Sequence, residues 1–198
     1  MNKRTATVLA ITLLALSGCG RAPTPAAQAP LAGARIGGPF TLIDQDGKPF
    51  SSERLKGRYA VVYFGYTFCP DVCPTDMLNL GKGLKALEKT DAGKAAKVQP
   101  VFITVDPERD TPPVLKAFVT AFHPRLIGLT GTPEQIAAVA KDYATTYQKQ
   151  PAAAGTTGYL MQHMSTAILF GPDGHPIALV PVDANADEVT KTLETWVS

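Results

Sequence analysis

The chain has 198 residues, with 19 Lys and Arg, 17 Asp and Glu, three histidines and three cysteines. Without residues 1–18 it loses Lys3 and Arg4 and no acid, so 17 bases then face 17 acids. A formally neutral domain has no electrostatic footprint for nucleic acid, which excludes that class of partner.

Lys3 and Arg4 form a basic start, and an apolar stretch runs from about Val8 to Leu16. It has the length of a secretory h-region and is too short to span a bilayer as a mature helix. It ends in Leu16-Ser17-Gly18-Cys19, which looks like a bacterial lipobox. Residues 1–18 are therefore expected to be a lipoprotein signal peptide, with Cys19 the lipidated first residue; an ordinary signal peptide and an incidental cysteine are the alternative. Lipidation of Cys19 leaves one cysteine pair, outside the cytoplasm on the periplasmic side of the cell envelope. Alanine and proline dominate residues 20–35. The stretch 19–35 thus reads as a lipidated linker, and 36–198 as one domain long enough for a sizeable core.

The run from Phe40 to Phe50 reads as a hairpin, because Asp46-Gly47 supplies the positive φ angles of a tight turn. Ala60–Tyr66 is continuously apolar, as expected of a strand covered on both faces. A helix follows from Asp76 to Lys89, with Met77, Leu80, Leu84 and Leu87 on one face. Gly81 and Gly83 weaken it by roughly 1 kcal/mol each relative to alanine. Val98–Val105 is a second buried strand. Thr111-Pro112-Pro113 opens a helix with Val114, Leu115, Phe118 and Phe122 inward. Leu126–Leu129 is a short strand. Thr132-Pro133-Glu134-Gln135 is a capping box that starts a helix burying Ile136, Val139, Ala140 and Tyr143. Gln148–Gly158 is polar and long for a connection, and loops of that length tend to be functional or mobile. Strands over Ser165–Phe170 and Ile177–Val182 flank a turn at Gly171-Pro172-Asp173-Gly174. Asn185 and Glu188 cap a last helix that turns Val189, Leu193, Trp196 and Val197 inward. This alternation predicts an α/β, thioredoxin-like fold, a central mixed sheet with helices on both faces and an N-terminal β-hairpin.

Cys69 and Cys73 come directly after the first core strand, where an open α/β sheet places its chemistry. On helix-like geometry residues four apart share a face, close enough for a disulfide after a small adjustment or for two thiolates on one ion. Pro70 and Pro74 stiffen the loop, and Pro74 is placed just ahead of the helix. A helix N-terminus favours the thiolate that both reactions require. Two thiolates suit Cu(I) and are too few for a structural zinc. A plain stabilising disulfide is a third reading, weakened because so short a loop restrains the unfolded chain least. Among the histidines, His123 ends a helix and His175 lies in a turn, so both read as structural. His163 precedes a core strand and follows the long loop. Met161 and Met164 are read as packing residues rather than thioether ligands. The run Asp106-Pro107-Glu108-Arg109-Asp110 is either a solvated loop or a flank of the site.

Three motifs carry a resemblance: Gly65-Tyr66-Thr67-Phe68-Cys69-Pro70-Asp71-Val72-Cys73-Pro74-Thr75, then Val105-Asp106-Pro107-Glu108-Arg109-Asp110-Thr111-Pro112, then His163 ahead of Phe170-Gly171-Pro172-Asp173-Gly174. Together they resemble the Sco/SenC family over most of residues 40–198. The resemblance implies a membrane-tethered, thioredoxin-like copper metallochaperone whose Cu(I) and Cu(II) ligands are Cys69, Cys73 and His163. It also implies delivery of copper to the subunit carrying the CuA centre of cytochrome c oxidase. Many family members have an aspartate before the histidine, where this chain has Gln162, and a carboxylate there could orient the imidazole. A thiol–disulfide oxidoreductase using the same cysteine pair is the alternative, and for it His163 is dispensable.

Overall fold

A computed structural model describes residues 28–151 and 158–198. The signal peptide and Cys19 lie outside the described residues. Residues 28–35, at the end of the stretch read as a linker, lie on the domain: the Leu31 amide donates to the Ile177 carbonyl at 2.9 Å.

Strands β1 (Thr41–Asp44) and β2 (Pro49–Ser51) form the N-terminal hairpin. In its turn Gly47 has φ +74° and the Asp44 carboxylate accepts from the Asp46 and Lys48 amides. A short 3-10 helix (Ser52–Leu55) leads to β3 (Tyr59–Gly65), in which every residue is buried. Next come α1 (Val72–Thr90), α2 (Ala92–Lys97), β4 (Val98–Thr104), α3 (Pro112–Phe122), β5 (Ile127–Thr130) and α4 (Pro133–Asp142). The chain continues through β6 (Tyr147–Pro151), β7 (Tyr159–His163), β8 (Ala167–Phe170), β9 (Pro176–Val180) and α5 (Ala186–Trp196).

Seven strands form one mixed sheet in the order β2-β1-β5-β4-β3-β8-β9. β3, β4 and β5 run parallel at its centre, and the other neighbours are antiparallel. β3 lies between β4 and β8, so both its edges are paired and its carboxyl end is held on two sides. The core stripe of α1 is Met77, Leu80, Leu84 and Leu87, each at most 1 % exposed. Burying a side chain of this size contributes about 1.5–3 kcal/mol.

Several expectations are corrected. α1 begins at Val72, four residues before the predicted start, so Pro74 lies inside its first turn rather than ahead of it. Proline is tolerated there because first-turn amides have no helical partner. Gly81 and Gly83 are sites of close approach rather than simple weak points. A Cβ on Gly81 would lie 2.6 Å from the Phe122 carbonyl oxygen, and one on Gly83 would lie 2.6 Å from Val189 Cγ1. The small residues let α3 and α5 pack against α1, which offsets their poor helix propensity. The inner stripe of α3 is Leu115 and Val119, with Val114, Phe118 and Phe122 only partly buried. The stretch read as a loop from Gln148 to Gly158 begins in a strand instead: β6 pairs antiparallel with β7, from Tyr147 opposite His163 to Pro151 opposite Tyr159. The successive polar residues Gln148, Lys149 and Gln150 leave no hydrophobic period to read. The capping box at Thr132 and the Asn185 cap form as predicted. Among the described residues, no helix is long and apolar enough to cross a membrane.

Candidate metal centre

β3 delivers the chain at Gly65 to a tight loop, where the Cys69 amide donates to the Tyr66 carbonyl at 3.3 Å. Thr67 fixes this loop from the other side. Its amide and hydroxyl donate to the Asp110 carboxylate at 2.9 and 2.6 Å, and Thr104 Oγ1 donates to the same group at 2.6 Å. Asp110 is fully buried and Asp106 is 2 % exposed, so the acidic run is not a solvated loop. Its aspartates fold under the site while Glu108 faces outward. Burial pushes the Asp110 carboxyl above its ordinary range, against the opposing pull of the Thr104 and Thr67 hydrogen bonds.

Cys69 lies just ahead of α1 and is partly exposed, whereas Cys73 lies in its first turn and is buried. The Cys73 amide donates to Cys69 Sγ at 3.4 Å, so the sulfur receives one of the helix's unpaired amides. Both cysteines are free thiols. Beneath Cys73, buried Tyr63 donates its hydroxyl to Asp76 at 2.8 Å.

β7 brings His163 to the same place. Its Nε2 is 3.3 Å from Cys73 Sγ and its Nδ1 is 3.2 Å from the Met164 carbonyl. A carbonyl only accepts, so we assign a ring proton to Nδ1, and Nε2 is the ring nitrogen directed at the sulfurs. The imidazole makes edge contacts with Tyr66 and Tyr63, at centroid distances of 5.7 and 6.4 Å. Gln162 does not orient it: its side chain accepts from Gln150 Nε2 across the hairpin at 3.2 Å, and the Met164 carbonyl does the orienting.

One ligand atom each from Cys69, Cys73 and His163 lies within 4.8 Å of the others. Bonds of about 2.0–2.3 Å from a central ion to nitrogen and sulfur place trigonal ligand atoms roughly 3.5–4 Å apart. The three donors are thus gathered to within a small adjustment of clasping one ion. The other histidines are elsewhere. His123 is 2 % exposed and accepts the Arg125 amide on Nδ1, and His175 lies in the β8–β9 turn. Met161 is buried in the core and Met164 is exposed.

The two thiols divide their acidity. Cys69 is pulled down to about 3 by the hydrogen bond from Cys73, helped by His163 and the Cys73 and Asp71 backbones, against the effect of burial. Cys73 is pushed up by that same bond to Cys69 and by burial. The pair gives up one proton readily and holds the second until a cation displaces it. The lowered Cys69 pKa favours the folded state progressively as pH rises above about 3, and is lost as pH falls through that value. Alkylation of the metal-free protein should therefore fall on Cys69, and its rate should stay level from pH 8 down to about 5, where an ordinary thiol of pKa about 8.5 slows by orders of magnitude. Mass-spectrometric rates over this range check this; a tenfold fall per pH unit would contradict it.

Of the residues around the ligands, Tyr63 and Tyr66 belong to an apolar strand run, and Asp76 and Tyr159 follow no spacing that points to a ligand, whereas Asp110 lies in the charged run already read as a candidate flank of the site. A cleft lined by Tyr66, Pro70, Val72 and Leu160 opens beside Cys69 and His163.

Fold and site together define a thioredoxin-like domain with two thiols and one imidazole gathered at the carboxyl end of a central strand. The SCO1/SenC family model matches residues 28–198, and the chain belongs to that family. The mitochondrial protein SCO2 of Saccharomyces cerevisiae is 42% identical over 139 residues, covering 70% of this chain and 45% of that protein. The chain thus spans about half the length of this mitochondrial relative. The crystal structure of Arabidopsis thaliana ScoI with copper bound superposes with a TM-score of 0.74 at 37% identity, covering 81% of this chain and 97% of that one. The structure of BsSco, described as having a disulfide switch and belonging to the Sco family of cytochrome c oxidase assembly proteins, gives 0.63 at 25% identity, covering 85% of this chain and 97% of that one.

Proposed function

We propose that this protein is a copper metallochaperone that binds Cu(I) and Cu(II) through Cys69, Cys73 and His163 and delivers copper to the CuA centre of cytochrome c oxidase. The observation that carries the reading is the convergence of two sulfurs and one imidazole nitrogen, from segments 90 residues apart, within 4.8 Å. Soft thiolates select Cu(I), and the imidazole makes Cu(II) acceptable as well. The copper-bound Arabidopsis relative and the assembly role stated for BsSco support cargo and destination. In this reading residues 1–18 are removed, lipid on Cys19 tethers the protein on the periplasmic side of the cell envelope, and the part of the linker before residue 28 spaces the domain from the membrane.

Loading replaces the proton kept by the thiol pair, so affinity falls with acidity. The two cysteines sit together at the start of α1, whereas His163 comes from a separate hairpin. The imidazole is therefore the ligand that leaves first and lets an acceptor's ligands enter. A two-electron oxidant such as a target disulfide, itself reduced to two thiols, would join Cys69 Sγ to Cys73 Sγ, remove both soft donors and release the ion.

Anaerobic titration of the reduced protein with Cu(I), and then with Cu(II) followed by absorption and EPR, tests this. One copper per chain is expected, and His163→Ala should weaken Cu(II) binding by about a hundredfold or more, beyond the 10–100-fold typical of outer-shell changes. Equal Cu(II) affinity in variant and wild type would remove His163 from the site. The acidic, half-exposed Cys69 thiol also favours a second reading, a thiol–disulfide oxidoreductase acting on target cysteines. That reading needs no stoichiometric metal and survives His163→Ala.

A further inference from the structure

β6 and β7 form a two-stranded sheet that pairs with no strand of the main sheet. Such a hairpin is only marginally stable by itself, and of its described side chains only Met161 is buried. Yet His163, at the end of β7, is held against Cys73. Besides the buried Met161 and the ring contacts of His163 itself, a further hold lies at the other end of the strand. Tyr159, Met161 and His163 share one face of β7, with Tyr159 about 13 Å from His163 at strand rise. The Arg109 guanidinium sits 3.8 Å from the Tyr159 ring centroid and donates from Nη1 to the Tyr159 carbonyl at 3.0 Å. Its Nε is bonded to the buried Asp106 carboxylate, whose other oxygen accepts the Tyr159 hydroxyl at 2.8 Å. The same guanidinium lies 4.9 Å from the Phe68 ring centroid and 5.7 Å from that of Tyr66, both on the cysteine loop.

We propose that Arg109 is a positioning residue for His163: its guanidinium, wedged between Tyr159 of the histidine-bearing hairpin and Phe68 of the cysteine loop, latches the two segments together and sets the imidazole over the sulfurs. Asp106 anchors the latch at its base. Lys149, 4.1 Å from the same Tyr159 ring and bonded to Glu108 at 2.8 Å, closes its outer edge. The cysteine loop has independent ties, through Thr67 to Asp110 and through α1, so opening the latch frees the histidine and leaves the sulfurs in place. Release of the third ligand, as copper passes on, is then controlled at Arg109 rather than at the metal.

The metal arms of the test rest on the copper reading above, and one arm does not. In the metal-free, reduced full-length protein, Arg109→Gln should speed amide hydrogen exchange at 159–163 and leave 59–65 unchanged. In copper titrations it should weaken Cu(II) binding by about tenfold, the lower end for outer-shell changes, with loss of nitrogen hyperfine structure from the EPR spectrum. Cu(I) affinity, carried by the two sulfurs, should change far less. Because Arg109 acts through His163, the R109Q/H163A double variant should bind Cu(II) no more weakly than H163A alone. Unchanged exchange in the hairpin, equal losses for Cu(I) and Cu(II), or additive losses in the double variant would each overturn the proposal. If Arg109→Gln does not fold, Tyr159→Leu, which removes the ring and keeps the Arg109–Asp106 pair, is held to the same outcomes. A wild type that binds no copper would refute the chaperone reading, and the exchange measurement would still decide the latch.

Discussion

Cys73→Ser should abolish tight Cu(I) binding while leaving the domain folded. Cys73 is fully buried at the first turn of α1 with its sulfur against His163 Nε2. Serine keeps the small volume, but its oxygen is a hard donor with little affinity for a soft ion. A serine hydroxyl can still donate the hydrogen bond that is the largest cause of the lowered Cys69 pKa, so the loss reads as that of one sulfur donor. Structural zinc sites gain about 10–16 kcal/mol from four ligands, roughly 3 kcal/mol each, so losing one thiolate costs on the order of 100-fold in affinity, and more for an ion that selects sulfur. Competition against a chromogenic Cu(I) chelator measures the loss, and a thermal melt confirms folding. Cys69→Ser should behave alike. Near wild-type Cu(I) affinity in either variant would leave the oxidoreductase reading standing alone.

Gly65→Ala should damage fold and site together. A Cβ there would lie 2.7 Å from Tyr63 Cε1 and 3.0 Å from both Cys73 Sγ and Phe102 Cε2. Tyr63 and Phe102 are fully buried and stacked at 6.0 Å between centroids, so neither ring has room to retreat. Overpacking of this kind costs about 1–3 kcal/mol. At about 2–4 °C per kcal/mol for a chain of this size, Tm should fall by roughly 2–12 °C. Cys73 Sγ is pressed at the same 3.0 Å, so a shift of this sulfur should lower copper affinity in the same variant. Calorimetry and the chelator competition read the two effects. An unchanged Tm with unchanged affinity would mean that the end of β3 does not press on the sulfur.

The cysteine pair was legible because its chemistry is local, whereas His163 was singled out through the family resemblance. Two cysteines four apart after an apolar strand admit few uses, and the motif around them resembles one family closely. The lattice of groups that makes the donors a site was not legible. Asp110 and Thr67 are 43 positions apart, and Arg109 and Tyr159 are 50 apart. A charged run such as 106–110 normally faces water, and nothing within it marks two aspartates as buried acceptors. β6 escaped notice for a related reason. It gains its partner from β7 and its place from the Tyr159 contacts, so it carries no hydrophobic alternation of its own.

The amino-acid order alone determined the elements whose stabilising contacts are periodic or adjacent: the apolar central strands, the amphipathic helices, the Thr132 and Asn185 caps, and the pair of sulfurs at a helix start. Tertiary structure alone decided what those sulfurs face. Their unequal acidity, the imidazole nitrogen presented to them and the guanidinium placed against the histidine strand arise from contacts between segments far apart in the chain. Such contacts depend on burial and distance, which exist only once the sheet has brought the ends of β3, β4 and β7 together.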